Sequence, residues 1–304
     1  MRSLRAGGIL VLLYMAYVVL FLAGAAALGP EIAPDALTPA EQSASLGMTL
    51  VVAAIDLAIM GVWVARARFG GWRLWAVTSL VMYGVKTFSS NLETWYFVDA
   101  AHVPPEMLPS LFAMTLPLCV IWPALLVWGL GPRGDTPGRP VTIAPAALAV
   151  RVAVAGVVLY PIFFFVAGYW IAWQNPAVRA YYGGAAVPLP ILRHLAETFA
   201  GDPFLLPFEM IRGLLWVAIG WPVLRWSRGP WWAGALLFAT MMALVQNDLH
   251  LLPNPLMPPE VRWWHFIETT SSNFLFAWCA AALIEQGYRA IAPARSAPRV
   301  ESAP

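Results

Sequence analysis

The chain has 304 residues, of which 60% are hydrophobic and only 11% charged, with a mean hydropathy of +0.69. Soluble domains carry about 25% charged residues, so a water-facing surface, a disordered chain and a nucleic-acid partner are excluded. A formal net charge of +2 is too small to call for a polyanion. The composition fits an all-α protein, a polytopic transmembrane helical bundle.

Eight stretches approach the roughly 20 apolar residues that cross a bilayer: 9–29, 46–65, 73–95, 109–130, 146–173, 204–224, 231–250 and 263–285. Residues 1–289 read as one transmembrane helical domain. Residues 290–304, with their prolines among small and charged residues, read as a disordered cytoplasmic tail. Arg2 and Arg5 before an apolar run, with Ala25-Ala26-Ala27 behind it, also resemble a signal peptide. The run exceeds the ~7 to 15 residues usual there, which favours a retained helix.

Orientation follows from the arginines, because short Arg-rich loops stay cytoplasmic. Arg2 and Arg5 precede the first span, Arg66, Arg68 and Arg73 join the second and third, and Arg133, Arg139 and Arg151 fall between the fourth and fifth. Arg225 and Arg228 join the sixth and seventh, and Arg289, Arg295 and Arg299 follow the eighth. Both termini are therefore expected in the cytoplasm. Glu31, Asp35, Glu41, Asp99, Glu106, Asp202 and Glu260 fall on the opposite, outer side.

The longest connection, about 174–203, is too short for a folded domain, so chemistry has to happen in or at the membrane. Tyr181-Tyr182-Gly183-Gly184 reads as a turn. After Pro188-Leu189-Pro190, the residues Ile191, Leu192, Leu195 and Phe199 share one face of a short outer interfacial helix. Cys119 and Cys279 lie within spans, with no spacing that suggests a disulfide or redox motif.

All four histidines, His102, His194, His250 and His265, fall on the outer side under this topology. In the eighth span His265, Glu268, Thr269 and Ser272 form a polar stripe, with Asn273 on its flank. In the third, Lys86, Ser89, Ser90 and Glu93 form another, and Lys86 and Glu93 are expected to pair. Gln246 and His250 end the seventh one turn apart, with Asp248 facing away from both. Glu209 and Arg212 have the i, i+3 spacing of a structural salt bridge. Asp56 stands alone in the second span, its partner not nameable from sequence.

Ionisable groups inside spans are costly and normally face a partner or water. The candidate catalytic groups are His265, Glu268, Glu93 and His250, acting as acid and base. Lys86, Arg212, Ser272 and Asn273 are candidates for holding a substrate. His-x-x-Glu occurs twice, and His194, Glu197, His250, His265 and Glu268 form a candidate set for a divalent metal, although the HExxH signature and the paired Glu-x-x-His of di-iron bundles are absent. Arg179, Arg193 and Arg262 suit lipid headgroups or an anionic ligand.

Phe165 to Pro176 running on to Tyr182-Gly183-Gly184, Leu251 to Pro258, Val261 to Phe274 and Gly84 to Phe97 resemble stretches in a group of uncharacterised bacterial polytopic membrane proteins. The resemblance implies a bacterial inner-membrane location and carries over no activity and no catalytic residue. Three classes of function stay open: an outer-leaflet enzyme acting on a lipid-linked or amphiphilic substrate, a transporter or channel with the same residues lining its path, and a non-catalytic accessory or assembly protein. The expected partners are membrane lipids and a small amphiphilic or lipid-linked ligand.

Overall fold

The computed structural model describes residues 2–31, 33, 36–136 and 143–289. The expected tail, Asp35 and Arg139 lie outside the described residues. Within them the chain is all-helical, and the β-type pairing is a single isolated bridge between Ala67 and Ser227. The backbone polar groups of an apolar segment have to be satisfied internally, which helices do unaided.

The long helices are α1 (Arg2–Leu28) and α2 (Pro39–Arg66), then α3 (Gly71–Tyr83) leading into α4 (Ser89–Tyr96), and α5 (Leu108–Ala113) followed by α6 (Leu116–Leu130). After them come α7 (Pro145–Ala153), α8 (Tyr160–Ala167), α9 (Pro176–Tyr181), α10 (Ile191–Gly201), α11 (Leu205–Trp226), α12 (Trp231–Thr240) and α13 (Pro259–Arg289). Local sequence sets several starts. Thr38 and Glu41 form a capping box ahead of α2 with proline in its first turn, and the Asn175 side chain accepts from the amides of Ala177 and Val178 at the start of α9.

Helix forms at all eight expected stretches, but they are not equivalent. Ala6–Leu28, Pro39–Arg66, Pro105–Leu130 and Pro145–Ala172 are long and apolar enough to cross a membrane on their own. A fifth qualifies only if Ile191–Gly201 and Leu205–Trp226, bent by 94° at their junction, are taken as one. The third stretch carries Arg73, Lys86 and Glu93, the seventh loses regular helix beyond Thr240, and the eighth opens on a polar stripe. Outward-facing apolar side chains, such as Leu12 at 66% and Trp128 at 75% exposure, suit lipid rather than water.

Four wide π turns interrupt the helices: Gly84–Phe88 between α3 and α4, Val154–Leu159 between α7 and α8, Gly168–Ala172 after α8, and Met241–Val245 after α12. Each inserts about one residue into a turn and rotates the side chains that follow. A 3₁₀ turn, Asp248–Leu251, completes the seventh stretch. α11 presses directly on the turn 154–159, where a Cβ on Gly213 would sit 2.1 Å from the Gly156 carbonyl oxygen. Two glycines thus let the backbones touch and bring Arg212 up to Tyr160.

At one end of the bundle the two Arg-rich connections are joined. The Arg68 amide donates to Trp226 O at 3.0 Å, the Arg228 amide to Arg66 O at 2.8 Å, and Arg66 Nη2 to Arg228 O at 2.8 Å. At the other end Arg179 organises the 173–186 loop, donating to the carbonyls of Trp173, Ala185 and Ala186. Gly183 supplies the turn expected there, with φ of 68°. α10 forms as expected; on its apolar face Leu192 is 80% exposed, while Ile191, Leu195 and Phe199 are half-buried.

Candidate functional site

A cleft of about 310 Å³, part of it open to solvent, is lined by Glu93, Arg212, Gln246, Glu268, Thr269, Ser272 and Asn273, with Tyr160, Phe163 and Phe164 as its aromatic wall. Room for water within it is only about 10 Å³, the space of about one molecule. The expected convergence of the third and eighth stretches is therefore present: Glu93 from α4 and Glu268 from α13 face one cavity.

π turns place much of this lining. Tyr160 is the first residue after the turn 154–159, Gln246 the first after 241–245, and Ser90 follows 84–88 by two. Gln246 donates to Ser90 Oγ at 3.2 Å and accepts from Asn273 Nδ2 at 2.6 Å, fixing three helical segments to one another. A Cβ on Gly168 would lie 3.6 Å from Glu268 Oε1, so the turn 168–172 passes close to that carboxylate.

Arg212 is the cation of the site, and it is already occupied. Its Nη1 donates to both Glu209 oxygens at 2.9 and 2.8 Å, and its Nη2 bonds Glu93 Oε2. The guanidinium also lies over the rings of Tyr160, Phe164 and Phe208 at 5.6 to 5.8 Å. The expected Glu209 pair is present, and Arg212, expected to hold an anionic group, lines the cleft with two carboxylates already on its guanidinium. Glu93 and Glu209 share Arg212, and Glu268 pairs with His265, so each carboxylate of the site already has a basic partner.

Glu268 connects the cleft to histidine. His265 Nδ1 lies 3.0 Å from Glu268 Oε2, while His265 Nε2 is buried without a hydrogen-bond partner. The His265 ring stands 5.5 Å from that of Tyr182 and 6.4 Å from that of His250. Burial pushes the Tyr182 phenol up, which keeps it a neutral donor. His250 sits behind His265 rather than on the cleft wall, its Nδ1 3.1 Å from Asn247 O. Ser272 and Asn273, expected to hold substrate, do line the cleft.

Lys86 does not. Its expected pairing with Glu93 assumed an uninterrupted α-helix, and the π turn 84–88 breaks the phase between them. Lys86 Nζ instead lies 2.8 Å from Asp56 Oδ2 and 2.7 Å from Asp248 Oδ1, with all three side chains at 0% exposure. The partner that sequence could not name for Asp56 is Lys86, with Tyr17. Asp248 does face away from Gln246 and His250, as expected.

The five-residue metal set does not assemble. His194 packs between the rings of Tyr169 and Trp173, at 5.4 and 5.2 Å, and Glu197 pairs with Arg193 at 2.8 Å on the exposed side of α10. Burial lowers the His194 pKa, opposed by the charge of Glu197. Among the described residues no three His, Cys, Asp or Glu side chains are grouped to hold a metal ion. Arg262, like Arg179, is spent on loop carbonyls, donating to Leu252 O and to His250 O.

No protein-family model, no curated protein and no solved structure matches the chain. Function has to be argued from this geometry.

Proposed function

We propose that the protein is a multi-pass bacterial inner-membrane enzyme whose eight helical stretches all span, with both termini cytoplasmic, and that its cleft acts on a lipid-linked or other amphiphilic substrate at the outer leaflet. The observation that carries the reading is the pair of carboxylates on one water-sized polar cleft, one of them backed by a histidine. Glu268 takes a proton from water or a substrate hydroxyl, and His265 holds Glu268 in place and exchanges protons with it. Glu93, fixed by Arg212, stands on the same cleft as the second acid or base.

The topology is supported by the joining of Arg66 and Arg68 to Arg228 at one end of the bundle, because the positive-inside rule then applies to that end as a whole. The bacterial location rests on the resemblance in sequence. Reporter fusions check the orientation: a periplasmic reporter active after residue 70 or residue 228 would overturn it. Untargeted lipid mass spectrometry of membranes carrying wild type, His265→Ala or Glu268→Gln checks the activity. At least one amphiphile changes with wild type and not with equally abundant variants; identical profiles for all three would sink the reading.

A second reading, a proton-coupled transporter, draws on a different observation, the buried Asp56, Lys86 and Asp248. Solute uptake by reconstituted vesicles that vanished with Glu93→Gln would put this reading first.

A further inference from the structure

Lys86, Asp56 and Asp248 bring together the π turn 84–88, α2 and the 3₁₀ turn 248–251, away from the cleft. Tyr17 on α1 adds a hydroxyl that donates to Asp56 Oδ2 at 2.7 Å. One ammonium thus faces two carboxylates. Their other oxygens, Asp56 Oδ1 and Asp248 Oδ2, are buried with no hydrogen-bond partner, and the two carboxyls meet at the same ammonium, at 2.8 and 2.7 Å.

The other groups around the cluster do not restore the balance. Cys119 on α6 is the remaining titratable neighbour, beside Thr87 and Thr115, which hydrogen-bond to each other. On α13 Glu268 lines the cleft and takes His265 as its partner, and the turn Met241–Val245 contributes no titratable side chain. Fully ionised, the cluster would hold an uncompensated negative charge on side chains that are all at 0% exposure. Two carboxylates that share one buried ammonium do not both stay ionised.

We propose that Asp56 and Asp248 form a proton-binding site, in which one proton shared between Asp56 Oδ1 and Asp248 Oδ2 is held in the resting protein while Lys86 stays charged. The proton turns one unpartnered oxygen into a donor and the other into its acceptor. It brings the cluster of one ammonium and two carboxyls to zero net charge. Gln246, two residues before Asp248, lines the cleft and joins Ser90 to Asn273, so the cluster and the cleft share one segment of chain. The inference depends on neither functional reading above.

Infrared spectroscopy of the full-length protein in phosphatidylcholine–phosphatidylglycerol vesicles tests it. At pH 7 an ordinary aspartic acid is ionised by about a thousand to one, so a protonated aspartate carbonyl band at that pH has to come from a site that holds its proton. The expected result is such a band in wild type, moved by carbon-13 labelling of aspartate carboxyls and not by labelling of glutamate. Asp56→Asn and Asp248→Asn should each abolish it, since each leaves a single aspartate paired with Lys86. No aspartate-sensitive band at pH 7 overturns the proposal, as does a band that moves only with glutamate label. A band that survives both substitutions also overturns it. The labelling result comes from wild type alone and stands even if a variant does not fold.

Discussion

Lys86 and Arg212 each meet two carboxylates, but in different settings. In the Lys86 group all three side chains are wholly buried, whereas the Arg212 group reaches a cleft through Glu93, whose side chain is 30% exposed. Removing a partner from a sealed cluster leaves a buried charge with no water to turn to, while the open cluster can admit a molecule. The sealed group is therefore where charge is most tightly tied to the fold, and the open group is where chemistry is available.

Five substitutions would break or sharpen that contrast. Lys86→Met should be the most damaging, at about 3 to 5 kcal/mol, read as lost abundance and a large fall in the Tm of the solubilised protein. Arg212→Met should cost about 3 kcal/mol, the lower end of the same range, with Arg212→Lys recovering about half by keeping the charge and losing the fork. Equal losses for Lys86→Met and Arg212→Met would remove the distinction drawn here. His265→Ala should cost about 1 kcal/mol or less, because Glu268 borders a cleft partly open to solvent, and should be felt in activity instead, since Glu268 is no longer held in place. Arg193→Ala, which breaks an exposed pair on α10 at 69% and 53% exposure, should change the melting curve by no more than about 0.5 kcal/mol.

Much of the fold was legible because its driving term is local. An apolar stretch of spanning length has to be helical, and Thr38, Glu41 and the helix-starting prolines mark where some of these helices begin. The meeting of Glu93 with Glu268 was legible for a related reason, since polar stripes two turns long have to face something other than lipid. What sequence did not show was phase. Lys86 and Glu93 share a stripe only if the helix between them is regular, and nothing in Gly84-Val85-Lys86-Thr87-Phe88 announces a π turn. Tyr160 and Gln246 were missed as wall residues for the same reason, each standing immediately after such a turn. The contact of Gly156 with Gly213 left a signal, small residues inside two apolar stretches, but pairing them needs knowledge of which helices touch. The five-residue metal set failed because spacing along α10 could not reveal that His194 turns inward to Tyr169 and Trp173 while Glu197 turns out to Arg193.

The two thiols make the sealed region observable in time. Both are free, Cys119 fully buried beside the Lys86 cluster and Cys279 only partly covered on α13. A membrane-permeant maleimide meets Cys279 in the folded protein, but it reaches Cys119 only during excursions that part α6 from α3. The ratio of the two labelling rates is therefore a clock for local opening, each factor of ten corresponding to about 1.4 kcal/mol of opening free energy. With no engineered probe, the natural sequence reports how often the wall around its most deeply buried charges comes apart.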